Sequence, residues 1–338
     1  MSSSYPLVVY LDMNHWYALG AALAGHPDQL GHALILTKLE DQVAQGRLVF
    51  PLSSVHYMEL TENPRDQLRR EAADAMQLLS RFVTIASIGR ILDEELAREL
   101  NRRFGRPAFP MKVPKFGVGV GFAFGQDIRL KPFEGIPEEQ LPALEARLGV
   151  PVEQFEAEVN NLLEYALLSS PSAERSQIPG YDPYSARKVA DAELVSFNVM
   201  LNTLRTDPEI AKRPLDAICA RQFYYDIEDN YVHARISAGL VKSNPMRGKE
   251  ELTDFLMHLP SRRVTSMIEF HYLKDIDREW TINDLRDIHA LSVAIPYCDI
   301  VVTDKKAWDV TSKRAKLGEE FNTAIFCRLT DLATHLGL

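Results

Sequence analysis

Both ends of this 338-residue chain carry apolar runs that stop on an aspartate. Residues 7–11, Leu-Val-Val-Tyr-Leu, form a continuous apolar run with no charged side chain, as expected of a strand buried on both faces, and Asp12 follows at once. Apolar residues then recur at helical spacing over 27–45 (Leu30, Ala33, Leu34, Leu36, Leu39, Val43), and Gly46 ends that helix. Leu48-Val-Phe-Pro-Leu52 predicts a second strand, after which Ser53 or Ser54 caps a helix carrying Glu59. At the far end the pattern predicts a helix over 284–296, a strand over 299–303 running into Thr303-Asp304, a strand over 324–327 and a last helix from Thr330. Strand–helix alternation of this kind predicts an α/β fold with a parallel sheet.

The middle of the chain reads differently. Helical patterns cover 66–83, 91–103, 137–148, 151–169, 183–205, 214–241, 248–258 and 261–274, with Pro or Gly between several of them. Residues 104–125 are rich in Gly, Phe and Pro and predict an irregular loop or hairpin. The expected organisation is one α/β domain built from residues 1–65 and 280–338, interrupted by a mainly helical insertion over 66–279. Such an insertion is tolerated when the two ends of the host domain lie close together.

Composition limits the function classes. The chain is 46% hydrophobic and 25% charged, as globular proteins are, and no apolar run approaches the roughly 18 residues of a membrane span. Cys219, Cys298 and Cys327 are widely spaced and odd in number, which fits a reducing, cytoplasmic setting and no disulfide framework. Met1-Ser-Ser-Ser-Tyr5 lacks the basic start and apolar core of a secretory signal, so export is not expected. A net charge of −9 argues against non-specific coating of nucleic acid. It leaves room for a nucleic-acid enzyme, because bound divalent metal compensates a carboxylate cluster.

Ligands of open parallel sheets gather at the carboxyl ends of the strands. Asp12 and Asp304 end two strands, Asp287 sits near the start of the 284–296 helix, and Glu59 lies on the helix after strand two. Four carboxylates brought together raise one another's pKa values unless a cation lies among them. An all-oxygen set suits Mg²⁺ or Mn²⁺ rather than zinc, and such ions activate water and stabilise charge on a phosphodiester.

These residues resemble the PIN-domain nucleases. The resemblance rests on Val9-Tyr-Leu-Asp12-Met-Asn14, Ser54-Val-His-Tyr-Met-Glu59-Leu, Asp287-Ile-His-Ala-Leu and Ile300-Val-Val-Thr303-Asp304, and covers roughly residues 6–65 and 280–336. It implies a PIN-like three-layer α/β/α fold with a central parallel sheet, and a metal-dependent endonuclease acting on RNA in preference to DNA. It also implies that Asp12, Glu59, Asp287 and Asp304 hold Mg or Mn, with Asn14, Ser54 and Thr303 in support. The stretch 66–279 is longer than small members carry and is not covered by the resemblance. The alternative is a catalytically inactive PIN-like scaffold that binds RNA or a protein partner. A homo-oligomer or an inhibitor protein stays open as a further association.

Other residues have competing readings. Asn283-Asp284 before the helix suggests Asp284 as its N-cap, with Asp287 closing a capping box. Asp299 could be a further ligand but better suits a turn at the strand start, and His15 and His289, each beside an acid, could touch a substrate phosphate but better suit structural roles. Gly117-Val-Gly119-Val-Gly121 lacks the strand–helix context of a dinucleotide site. Phe104, Phe109, Phe116, Phe122 and Phe124 could stack bases but fit packing on the insertion better. Arg102, Arg103, Lys112, Lys115, Arg262, Arg263 and Lys305 are the expected cationic contacts to substrate. An aspartyl phosphatase at Asp12 would need a proton-transferring acid where Asn14 stands.

Overall fold

The computed structural model describes residues 5–105, 112–126, 129–175, 177, 185–240, 248–274 and 280–338. Arg106, Phe109 and the first two residues of the expected 183–205 helix lie outside them. Four parallel strands form the central sheet in the order β2-β1-β5-β6: β1 Leu7–Leu11, β2 Leu48–Val49, β5 Ile300–Val302 and β6 Ala324–Phe326. Both ends of the chain therefore build one sheet, with β1 and β5 as the inner pair in register Leu11↔Val302. Two further strands, β3 Val83–Ile85 and β4 Phe116–Val118, pair antiparallel, and an isolated bridge between Leu52 and Thr84 joins them to the chain just past β2.

Alternation along the strands separates two cores, because successive side chains point to opposite faces. Val9, Leu11, Ile300 and Val302 pack with Trp16, Leu36, Ala72, Met76 and Leu332. Tyr10 and Val301 pack with Val55, Ile268, Leu291 and Ile295. Helices thus cover both faces. On the first face lie α1 Met13–Leu23, α2 Leu30–Ala44 and α4 Asp66–Ser80. On the second lie α3 Ser54–Glu62 and the helices Pro260–Leu273 and Ile282–Tyr297. A third cluster, with Leu96, Phe223, Tyr231 and Phe255, belongs to the helical middle of the chain and to α5 Ile88–Phe104.

Several sequence expectations need correction. The chain after Asp12 is helical (α1), and the expected 27–45 helix starts at Leu30 after a short 3-10 turn. The second strand is shorter than 48–52. The 66–83 helix stops at Ser80: Arg81 and Phe82 adopt positive φ, and Val83 starts β3. α4 was expected in the insertion, yet it packs on α1 within the sheet's own core. There Gly20 allows the backbones to touch, since a Cβ would sit 2.4 Å from the Glu71 carbonyl oxygen. The 214–241 pattern resolves into Pro214–Arg221, a π-helical turn Gln222–Ile227 and Glu228–Ser237. Among the described residues no helix is long and apolar enough to cross a membrane.

A candidate acidic active site at the sheet edge

Parallel pairing of β1 with β5 brings Asp12 beside Asp304. The Asp12 N–H donates to the Val302 carbonyl at 2.8 Å, which continues the ladder one residue past β1. Each aspartate then caps the helix that follows it, Asp12 Oδ1 accepting from Met13 N at 2.7 Å and Asp304 Oδ1 from Ala307 N at 2.6 Å. Capping fixes the orientation of both carboxylates and leaves each a second oxygen.

α3 is held against the same strand end by His56. Its Nδ1 accepts from Ser53 N at 2.9 Å and its Nε2 donates to the Leu11 carbonyl at 2.8 Å. Burial holds this imidazole down to a pKa of about 4, so it is neutral at pH 7 and can play both parts at once. The bond to Leu11 couples the residue before Asp12 to the helix that carries Glu59.

Asp287 comes from the helix Ile282–Tyr297. The N-cap there is Thr281, not Asp284: Thr281 Oγ1 accepts from Asp284 N at 3.3 Å, and Asp284 Oδ2 accepts from Thr281 N at 2.9 Å. Asp284 also pairs with Lys306 at 2.8 Å. The capping box lies one turn earlier than expected, so Asp287 has no capping duty and is available to the cleft.

Asp12, Asn14, Glu59, Asp287 and Asp304 line one cleft of about 450 Å³. Burial pushes the Asp12 carboxyl up to about 6, with the Asp304 charge adding to the shift. Burial, then the Asp12 charge, takes Glu59 to about 7, partly offset by Arg286. Asp287 reaches about 8, through burial first and then the charges of Asp12, Asp304 and Glu59. The acids are thus electrostatically coupled and poorly solvated. Among the described residues, no three His, Cys, Asp or Glu side chains already stand close enough together to hold an ion. Mutually repelling carboxylates line an open cleft here, not a closed cage.

The supporting residues divide. Thr303 is buried, its N–H donating to the Phe326 carbonyl at 3.0 Å and its own carbonyl 3.3 Å from His15 Nε2, so it serves the sheet edge. Ser54 faces a different cavity. Asp299 lies at the opposite end of β5 from the cleft, where Oδ2 accepts from Val8 N at 2.8 Å. His289 pairs with Glu193 at 3.0 Å.

None of the seven expected substrate cations lines the acidic cleft. Arg102 and Arg103 are held by Glu99, and Arg103 also by Asp254. Lys115 pairs with Glu94 at 2.6 Å, and Arg263 pairs with Glu320. Lys112 is exposed. Arg262 enters the cavity that Ser54 lines, and Lys305 enters a basic pocket with Lys306, Lys313 and Arg314. The cation in the cleft is Arg286, which sequence reasoning missed, as it did Tyr17, Asn63 and Asn283. The signal was helical spacing: Asn283, Arg286 and Asp287 share one face at i, i+3, i+4, as do Glu59, Glu62 and Asn63.

Comparison with family models, with curated proteins and with solved structures gave no match in any of the three.

Proposed function

We propose that this protein is a metal-dependent endonuclease of PIN-like architecture that hydrolyses phosphodiester bonds, with RNA preferred over single-stranded DNA. The observation that carries the reading is the convergence of Asp12, Glu59, Asp287 and Asp304, from four separate segments, on one cleft at the carboxyl edge of a parallel sheet. Ionising Asp12, Glu59 and Asp287 in this cleft costs free energy, through burial first and neighbouring charge second, and a divalent cation would offset that cost. The donor set is all oxygen, which fits Mg or Mn in chemistry and charge. When bound, such an ion lowers the pKa of water and offsets charge on the phosphodiester.

The chain's own groups have defined parts in this reading. Asp12 and Asp304 keep fixed orientations through their caps. Glu59 and Asp287, on two helices, would be the further carboxylates to hold the ion. Arg286 lines the cleft wall in an ion pair with Glu62 at 2.6 Å, which holds together the two helices that carry Asp287 and Glu59. Lys305 and Lys306, directly after Asp304, open a pocket of about 440 Å³ that also holds Lys313, Arg314 and Trp308. Cations beside an indole ring suit a nucleic-acid backbone and base.

The test is incubation of the full-length protein with labelled single-stranded RNA and millimolar Mn²⁺, alongside Asp12→Asn. Internal cleavage by the parent and its loss in the variant is the expected result. Cleavage that survives the substitution removes the assignment. No metal binding by calorimetry leaves the non-catalytic scaffold as the better reading.

A further inference from the structure

A second cavity, of about 480 Å³, lies where the helical middle of the chain meets the sheet domain. Val55 and Met58 of α3 and Val293 of the Ile282–Tyr297 helix give it an apolar wall, extended by Ala86 and Ile88. Facing that wall are Arg262, Glu193 and Asp226, all from the helical middle. The cavity shares Met58, Val189, Glu193 and His289 with a smaller one of about 320 Å³. Arg286 lines that smaller cavity and the acidic cleft alike, so the three lie side by side.

Much of the polar wall is already paired: Glu193 Oε1 meets His289 Nε2 at 3.0 Å, and the Arg221 guanidinium meets Asp226 at 3.3 and 3.2 Å and Glu269 at 3.2 Å, and lies 4.2 Å from the Phe197 ring centre. Arg262 differs. It is 8% exposed and, among the described residues, its guanidinium makes one long contact, to Asp226 Oδ2 at 3.5 Å. A guanidinium this buried with donors to spare is costly unless a ligand accepts from it. The π-helical turn Gln222–Ile227 presents Asp226 and Tyr225 to the same space, and such turns are frequent at functional sites.

We infer that this cavity is a nucleobase pocket that selects guanine in the substrate strand. A flat heteroaromatic ring lays its faces on the apolar wall and turns its edges to the charged one. Guanine carries two adjacent donors, N1–H and the N2 amino group, which match the Glu193 carboxylate, whose Oε1 meets His289 and whose Oε2 is left to a ligand. Its adjacent acceptors, O6 and N7, match the guanidinium of Arg262. No other standard base offers both edges. The nature of the ligand rests on the nuclease reading. The insertion would then choose the base while the sheet edge cuts the backbone.

The experiment titrates the four nucleoside 5′-monophosphates into the metal-free full-length protein by calorimetry, with RNA cleavage in Mn²⁺ measured separately. Because all four share the phosphate, differences report the base. GMP should bind at least about tenfold tighter than the others, the scale one bidentate base contact provides. Arg262→Gln should abolish the preference. Val189→Trp should block binding altogether, and since Val189 stands 69% exposed at the mouth, that variant keeps its fold. Equal binding of the four nucleotides, or a preference that survives both substitutions, overturns the pocket. Base-indifferent RNA cleavage without GMP selectivity removes the pocket and leaves the nuclease. Selective GMP binding without RNA cleavage does the reverse.

Discussion

Arg286 Nη2 stands 2.6 Å from Glu62 Oε1, and the two side chains, each 12% exposed, tie the Ile282–Tyr297 helix to α3. These helices carry Asp287 and Glu59, so the ion pair sets the spacing of two of the four clustered acids. Arg286 also lowers the pKa of Glu59 against burial and the charge of Asp12. Arg286→Met should destabilise the protein by about 3 kcal/mol, because Glu62 is left as an unpaired buried charge. The double variant with Glu62→Gln should recover part of the loss. Urea unfolding of the parent and the three variants measures both, and full additivity would show that the pair contributes no coupling.

Asp12, Glu59 and Asp287 all bind protons more tightly in the folded chain than in the unfolded one. Between the ordinary value near 4 and the folded values of about 6 to 8, the folded state holds more protons, so stability of the metal-free protein falls as pH rises. Thermal unfolding in a chelator should show that decline from pH 5 to pH 8.5. Asp287→Asn should flatten it. Added Mn²⁺ should raise the melting temperature more at pH 8 than at pH 5.5, since protonated acids do not bind the ion.

Lys305 and Lys313 in the pocket beyond Asp304 are expected to neutralise phosphates. Single-stranded RNA binding by Asp12→Asn protein should weaken when both become Ala, with the slope of log affinity against log salt reduced by about 0.7 for each phosphate no longer neutralised. Removing the exposed Lys131 and Lys212 instead should leave the slope unchanged. Anisotropy titrations between low and moderate salt read the difference.

Gly20 is where α1 and α4 touch, with no room for a Cβ against the Glu71 carbonyl. Gly20→Ala should cost about 2 kcal/mol through forced separation of the helices, despite the better helix propensity of Ala. A neutral or stabilising result in chemical denaturation would mean that the helix pair slides apart freely.

Much of the sheet was legible because its signal is local. An apolar run such as Leu7–Leu11 must be buried, and an acid placed straight after it must emerge at the strand end. Two such ends in parallel strands emerge at one edge of the sheet, and the pairing of β1 with β5 makes Asp12 and Asp304 neighbours there. Glu59 and Asp287 followed from their positions after the next strand and near a helix start. The capping box of Thr281 and Asp284 was equally local, and was misread by one turn only because Asp287 offered a second acid at the same spacing.

What tertiary structure alone decided concerns partners distant in sequence. Whether an arginine meets substrate or a carboxylate depends on which helix packs opposite. Packing added Asp254 to the Glu99 that already lies one turn from Arg103 on its own helix, gave Arg286 to Glu62, and left Arg262 lining a cavity with one long contact to Asp226. The sequence by itself determined where chain segments enter and leave the core, since hydrophobic periodicity is read over a few residues. Charge pairing and cavity shape depend on contacts across more than a hundred residues, which no local pattern encodes.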